Sequence, residues 1–155
     1  MVLSLEQPDW SALSPGIFSG NFFYDSTFDS DYDRVVACAK SARKDQTRIH
    51  CLVDDQGVQY GFIALSIAVS ENKPCLVINY LFVSQQYRSI RYPELKNKKI
   101  ADILIGYAYQ IATEASVNFP VRYLALVPAN DKLETYYSAL EFCKLDSTHF
   151  MYLKL

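Results

Sequence analysis

The chain has 155 residues, half of them hydrophobic, 14% aromatic and 21% charged, with a formal net charge of −2. That mixture excludes a disordered or low-complexity polymer, and the length suits one folded domain that buries a core without disulfide or metal staples. A sequence pI near 5.6 argues against a protein that coats nucleic acid through its overall charge.

Residues 1–28 read as an irregular N-terminal segment, rich in aromatics (Trp10, Phe18, Phe22, Phe23, Tyr24, Phe28) and broken by Pro8, Pro15, Gly16 and Gly20. Residues 1–5 are apolar without a basic flank, and no apolar run reaches the roughly 18 residues that span a bilayer. A cytoplasmic protein with no membrane partner is expected. Ser30 to Asp33 has the pattern of a capping box, so a helix should follow, with Val35, Val36, Ala39 and Ala42 as its apolar face and an end near Asp45. The bases Arg34, Lys40, Arg43, Lys44 and Arg48 are expected on a solvated face.

Residues 48–53 are strand-like, and Asp54-Asp55-Gln56-Gly57 predicts a hairpin turn with glycine at positive φ. The chain returns as a long strand over 58–69, turns over 71–74, and enters the nearly continuous apolar run 75–83, the pattern of a central strand covered on both faces. Ile100, Ile103, Leu104, Tyr107, Ile111 and Ala115 recur at helical spacing and predict a helix over 98–118, stopped by Pro120. A strand over 121–127, a short helix over 131–140 and a terminal strand over 150–155 complete the order α, β-β-β, α, β, α, β. No repeat or linker interrupts it, so 1–155 reads as a single domain.

Cys38, Cys51, Cys75 and Cys143 form no C-x-x-C pair and the histidines are only His50 and His149, so no metal site is expected. All four cysteines are expected as buried, reduced thiols. His50 and Cys51 are neighbours on a strand and point to opposite faces, which rules out a thiol–imidazole pair.

Near the end of the chain Asn130 is followed seven residues later by Tyr137 and, five further on, by Phe142, with Leu133 between them. This spacing resembles the C-terminal signature of the GCN5-related N-acetyltransferase (GNAT) family, and the element order agrees from about 28 to 155. The resemblance implies an α/β fold, the GNAT acyl-CoA N-acyltransferase fold, with a mixed, mostly antiparallel central sheet flanked by helices. It assigns Asn130 to the cofactor and Tyr137 to protonation of the departing coenzyme A thiolate. In the family a strand ends in a Q/R-x-x-G-x-G/A loop that opens onto a helix, whose unpaired amides hold the pyrophosphate. Here Tyr87 and Arg88 match, Ser89 stands where the first glycine usually falls, and several inserted residues precede Lys98 and Lys99. The family's glycine before the phenylalanine is Glu141.

The resemblance further places the pantetheine arm of acetyl-CoA along Leu81, Phe82 and Val83, paired with it as a surrogate strand, and gives a backbone N–H there the task of stabilising an oxyanion. It implies acetyl-CoA as cosubstrate, no metal, and direct attack by a primary amine of a small molecule or peptide; it also allows a homodimer. The stretches 54–70, 74–87 and 126–142 are similar to the toxin branch that acetylates the α-amine of aminoacyl-tRNA, which admits tRNA as a partner. The strand 75–83 contains no carboxylate or histidine to act as a base, which favours a low-pKa amine or a base from elsewhere, such as Glu71, Asp54 or an N-terminal acid. The alternative is a non-catalytic GNAT-like module whose glycine-poor loop no longer holds coenzyme A.

Overall fold

A computed structural model describes residues 1–25, 29–70, 72–144 and 149–155. Its elements are β1 (Leu3–Glu6), α1 (Pro15–Ser19), α2 (Asp29–Arg43), β2 (Arg48–Asp54), β3 (Gln59–Ser70), β4 (Lys73–Val83), two 3₁₀ turns (Gln85–Tyr87 and Pro93–Leu95), α3 (Ile100–Asn118), β5 (Tyr123–Leu126), α4 (Asp131–Ala139), β6 (Cys143–Lys144) and β7 (Met151–Lys154). The strands make one sheet in the order β1-β2-β3-β4-β5-β7-β6. Helices intervene, giving the expected α/β architecture. β4 and β5 are parallel, whereas β1/β2, β5/β7 and β6/β7 are antiparallel.

Two compact units make up the described chain, Met1–Ala64 with Tyr80–Gly106, and Leu65–Asn79 with Tyr107–Leu155. The first is built on aromatic packing: Phe18, Phe22, Phe62 and Phe82 are buried and meet one another at ring separations of 5.4 to 5.7 Å. Val35, Ala39 and Ala42 of α2 join this core along with Ile49, Cys51 and Val53 of β2. The α2 stripe is the apolar face expected from its spacing, with Val36 only half-buried, and Arg34, Lys40, Arg43, Lys44 and Arg48 are exposed as expected. In the second unit Cys75, Val77, Ala125 and Tyr152 cluster on one face of β4, β5 and β7. Leu104, Ala108 and Ala112 form the fully buried stripe of α3, one residue per helical turn.

Several expectations need correcting. The N-terminal segment is not wholly irregular: Leu3 to Glu6 pair antiparallel with Asp54 to Cys51. Four alternating residues are too weak a local signal, because their partners lie on a distant stretch of chain. Ser14 caps α1 by accepting the Ile17 N–H at 3.2 Å, with Pro15 at the first helical position. Helix α2 starts at Asp29, so Ser30 lies inside it rather than at its cap. Pro74 belongs to β4, not to the turn before it, and Glu71 and Phe28 lie outside the described residues. β6 has no counterpart among the expected elements. Gly57 does take positive φ, 80°.

The cysteines divide. Cys51 and Cys75 are buried, Cys38 is half-buried, Cys143 is exposed, and all four are free thiols. Burial pushes Cys38 up to about 11 and Cys51 up to about 12, which keeps both protonated and unreactive. Cys143 departs from the buried expectation because its two-residue strand lies at the edge of the sheet. Among the described residues no helix is long and apolar enough to cross a membrane, and no cluster of potential metal ligands occurs.

Candidate active site

In the first unit the end of β4 is held by a dense set of backbone contacts. The Phe82 carbonyl lies so close over Gly61 of β3 that a Cβ at Gly61 would collide with it and approach the Val83 Cα to 3.1 Å. Ser84 is buried; its N–H donates to the Tyr60 carbonyl at 2.9 Å, its Oγ accepts the Phe23 N–H at 2.9 Å, and its carbonyl accepts the Tyr87 N–H at 2.9 Å. Leu81 and Val83 are half-buried and Phe82 is buried. β4 runs to Val83, whereas its pairing with β5 reaches only Ile78.

Tyr87 sits with its ring 4.4 Å from that of Tyr60, whose hydroxyl donates to Asp54 at 2.8 Å. Burial, and then this bond to Asp54, pushes the Tyr60 phenol far above its ordinary value. Asp54 also accepts the Gln56 and Val58 N–H groups at 2.9 Å each. Desolvation would raise its pKa, but those bonds win and hold it low. Asp54 is therefore committed to its hairpin turn and is a poor proton acceptor.

Arg88 turns back onto the strand. Its Nε donates to the Val83 carbonyl at 2.7 Å, an Nη pairs with Asp31 of α2 at 3.2 Å, and the guanidinium lies 5.2 Å from the Phe82 ring centroid. Ser89 follows in the left-handed conformation, φ 61°, although it is not glycine. The inserted loop then closes on itself: Tyr92 donates to the Lys98 carbonyl at 3.1 Å and accepts the Asn97 and Leu95 N–H groups at 2.9 Å each. Lys96 and Asn97 are left-handed, φ 58° and 60°, and Arg91 Nη1 donates to the Asn97 carbonyl at 3.1 Å.

The helix therefore does not begin at Lys98, where the apolar spacing places it. The left-handed pair reverses the chain, Lys98 bridges to Tyr92, and α3 begins at Ile100. Asp102 accepts the Lys99 N–H at 2.9 Å, the reach-back half of a capping box. A lysine at the cap position cannot supply the other half, so the first helical amides have no side-chain oxygen from it. Lys98 is exposed and Lys99 half-buried.

In the second unit the spacing of Asn130, Tyr137 and Phe142 has a local physical cause. Asn130 is the N-cap of α4, its Oδ1 accepting the Leu133 N–H at 2.9 Å. At the other end, Phe142 N–H donates to the Tyr137 carbonyl at 3.1 Å and Glu141 N–H to the Ser138 carbonyl at 3.0 Å, with Glu141 left-handed at φ 73°. These two bonds are a Schellman motif, and the Tyr137 and Phe142 rings, 5.8 Å apart, are its hydrophobic contact. Tyr137 is buried, and desolvation raises its phenol above the ordinary value. Among the described residues no acceptor engages its hydroxyl.

Ser89 and Glu141 occupy two positions where the GNAT pattern has glycine, and both hold the left-handed backbone that glycine adopts without strain. A side chain there costs about 1–2 kcal/mol, offset in part by the extra freedom glycine adds to the unfolded chain. Ser89→Gly and Glu141→Gly should each raise stability by roughly 0.5–1 kcal/mol in denaturant unfolding. A lowered midpoint for either would show that its side chain contributes more than the backbone costs.

Three residues that organise the first unit, Gly61, Ser84 and Asp31, lie outside the site expected from the sequence. Only Gly61, a glycine inside a strand pattern, left a local signal.

No protein-family model matches the chain, and comparison with curated proteins finds no match. Solved structures do match. The AtaTR complex bound with AcCoA superposes with a TM-score of 0.76 at 16% identity, covering 98% of this chain and 92% of that one. AtaT complexed with acetyl-methionyl-tRNAfMet gives 0.68 at 13% identity, covering 99% and 95%. The KacTA–DNA complex gives 0.68 at 18% identity, covering 99% and 93%. At such identities the likeness establishes a shared fold.

Proposed function

We propose that this chain, which has the GNAT fold, is an N-acetyltransferase that moves an acetyl group from acetyl-CoA to a primary amine by direct attack on the thioester. The observation that carries this reading is the left-handed backbone at Ser89 and Glu141: the loop conformations that the family builds with glycine persist here without it. The first amides of α3, with Lys98 and Lys99, would hold the phosphates, since a helix N-terminus offers unpaired N–H groups and a favourable dipole. Leu81 to Val83 would pair with the pantetheine arm, Tyr87 and Ser89 would shape the loop around the cofactor, and Asn130 would contact it. Tyr137 would return a proton to the thiolate. Asp54 is engaged by its own turn, and Asp31, one of the acids of the N-terminal third, by Tyr80 and Arg88. That favours an acceptor that is substantially neutral at the working pH, such as an α-amine with pKa near 7.7.

A second acceptor reading, aminoacyl-tRNA rather than a small molecule or peptide, is favoured by one surface. Lys40 and Arg43 of α2 and Lys44 just after it line an open groove of about 630 Å³ with Tyr32, Val36, Gly16 and a single acid, Asp33. A basic strip beside an aromatic ring suits a phosphate backbone even on an acidic protein.

Calorimetry with acetyl-CoA tests the main reading, with a dissociation constant in the micromolar range expected. Free-thiol release with a panel of small α-amines, peptides and aminoacyl-tRNA should then identify the acceptor. Absence of binding at millimolar acetyl-CoA would leave only the non-catalytic module.

A further inference from the structure

The end of β4 shows a feature that the GNAT pattern in the sequence does not specify. Ser84 N–H donates to the Tyr60 carbonyl on β3, so the other end of that trans peptide, the Val83 carbonyl, faces away from β3. The Phe82 carbonyl lies over Gly61 on the β3 side, so the Val83 N–H of that peptide also faces away. Val83 therefore turns both its donor and its acceptor to the same free edge. Left bare, the acceptor would set the negative end of a carbonyl dipole beside any oxyanion that the donor binds.

Arg88 removes that acceptor. Its Nε takes the Val83 carbonyl at 2.7 Å, and the guanidinium brings a positive charge to the same place. The side chain is held on three sides, by Val83, by Asp31 at 3.2 Å and by the face of Phe82. Asp31 is itself held, its second oxygen accepting the Tyr80 hydroxyl at 3.1 Å. Tyr80 stays a phenol: burial, and then the Asp31 carboxylate, push its titration well above the ordinary range. All of these residues belong to the first unit.

We propose that Asp31 and Arg88 are positioning residues that turn the Val83 edge of β4 into a donor-only surface for the oxyanion of acetyl transfer. Arg88 masks the Val83 carbonyl, and Asp31, anchored by Tyr80, keeps Arg88 there. This rests on the acetyltransferase reading above. It also explains why Arg88, in the basic run before α3, is spent on the strand while Lys98 remains exposed.

The test uses the full chain with acetyl-CoA, and as acceptor whichever amine of the panel gives thiol release with the wild type. Asp31→Asn and Arg88→Ala should lower the rate at saturating acetyl-CoA by about 10- to 100-fold, the scale of losing one preorganised electrostatic contact, while coenzyme A affinity stays within about threefold. Ethylguanidinium should restore part of the rate to Arg88→Ala and leave the wild type unchanged. An unchanged rate in both variants, or a fall in affinity that matches the fall in rate without chemical rescue, would overturn the assignment and leave the acetyltransferase reading standing. A wild type that does not bind acetyl-CoA would overturn both. Unfolding midpoints of the variants separate lost positioning from lost fold.

Discussion

Tyr137→Phe should lower the rate of thiol release at saturating acetyl-CoA by about 10²–10⁴-fold, the usual contribution of a positioned acid, while coenzyme A affinity stays within about twofold. The substitution removes one oxygen and nothing else. The ring contact with Phe142 survives, and the Schellman bonds use the backbone carbonyl of residue 137, which is unaltered. Folding stability should therefore hardly change, since no described group accepts the hydroxyl's proton. The pH dependence follows from burial, which raises the phenol above its ordinary value near 10. The acid form persists across neutral pH, so any alkaline loss of rate due to Tyr137 should appear only above about pH 10. Stability follows the same sign: the benefit of a buried neutral phenol is complete below the unfolded value and is lost as pH rises through the folded one. An unchanged rate in the phenylalanine variant would take Tyr137 out of the mechanism and return it to core packing.

Gly61→Ala should be the most damaging single methyl in the first unit. The new Cβ meets the Phe82 carbonyl and the Val83 Cα, both backbone, so no rotamer change can relieve the contact. Overpacking of this kind costs about 3 kcal/mol, enough to shift a denaturant midpoint visibly. Forcing β3 and β4 apart there also displaces Ser84 from the Tyr60 carbonyl, so coenzyme A affinity should fall by about tenfold or more. A variant with a wild-type midpoint would mean that the strands can separate at no cost, which a rigidly held Val83 edge forbids. Gly57→Ala is a useful comparison, because there a side chain has open space and only the positive φ opposes it.

Helices α3 and α4, the Gly57 turn and the Asn130, Tyr137, Phe142 spacing were legible in the chain for a common reason. Each is a local pattern whose bonds join residues a few positions apart, so composition and periodicity report them directly. Even the Asn130, Tyr137, Phe142 spacing proves local: a cap at Asn130 and a Schellman motif linking Tyr137 to Phe142 account for most of it. The loop before α3 was legible only in part. Its charges could be counted, but the left-handed pair Lys96 and Asn97, and the bridge from Tyr92 to Lys98, moved the helix start to Ile100.

The order of the elements from α2 to α4, their apolar faces and the distance between the asparagine cap and the buried tyrosine can be read from the chain alone. Tertiary structure decided the rest. It paired β1 with β2, set Gly61 against Phe82, sent Arg88 to Val83 rather than outward, and brought Asp31 from α2 to hold it. It also showed that Ser89 and Glu141 keep a glycine conformation. These outcomes depend on which distant segments meet, and a missing glycine reads as a lost loop until the surrounding backbone shows that the strain is carried.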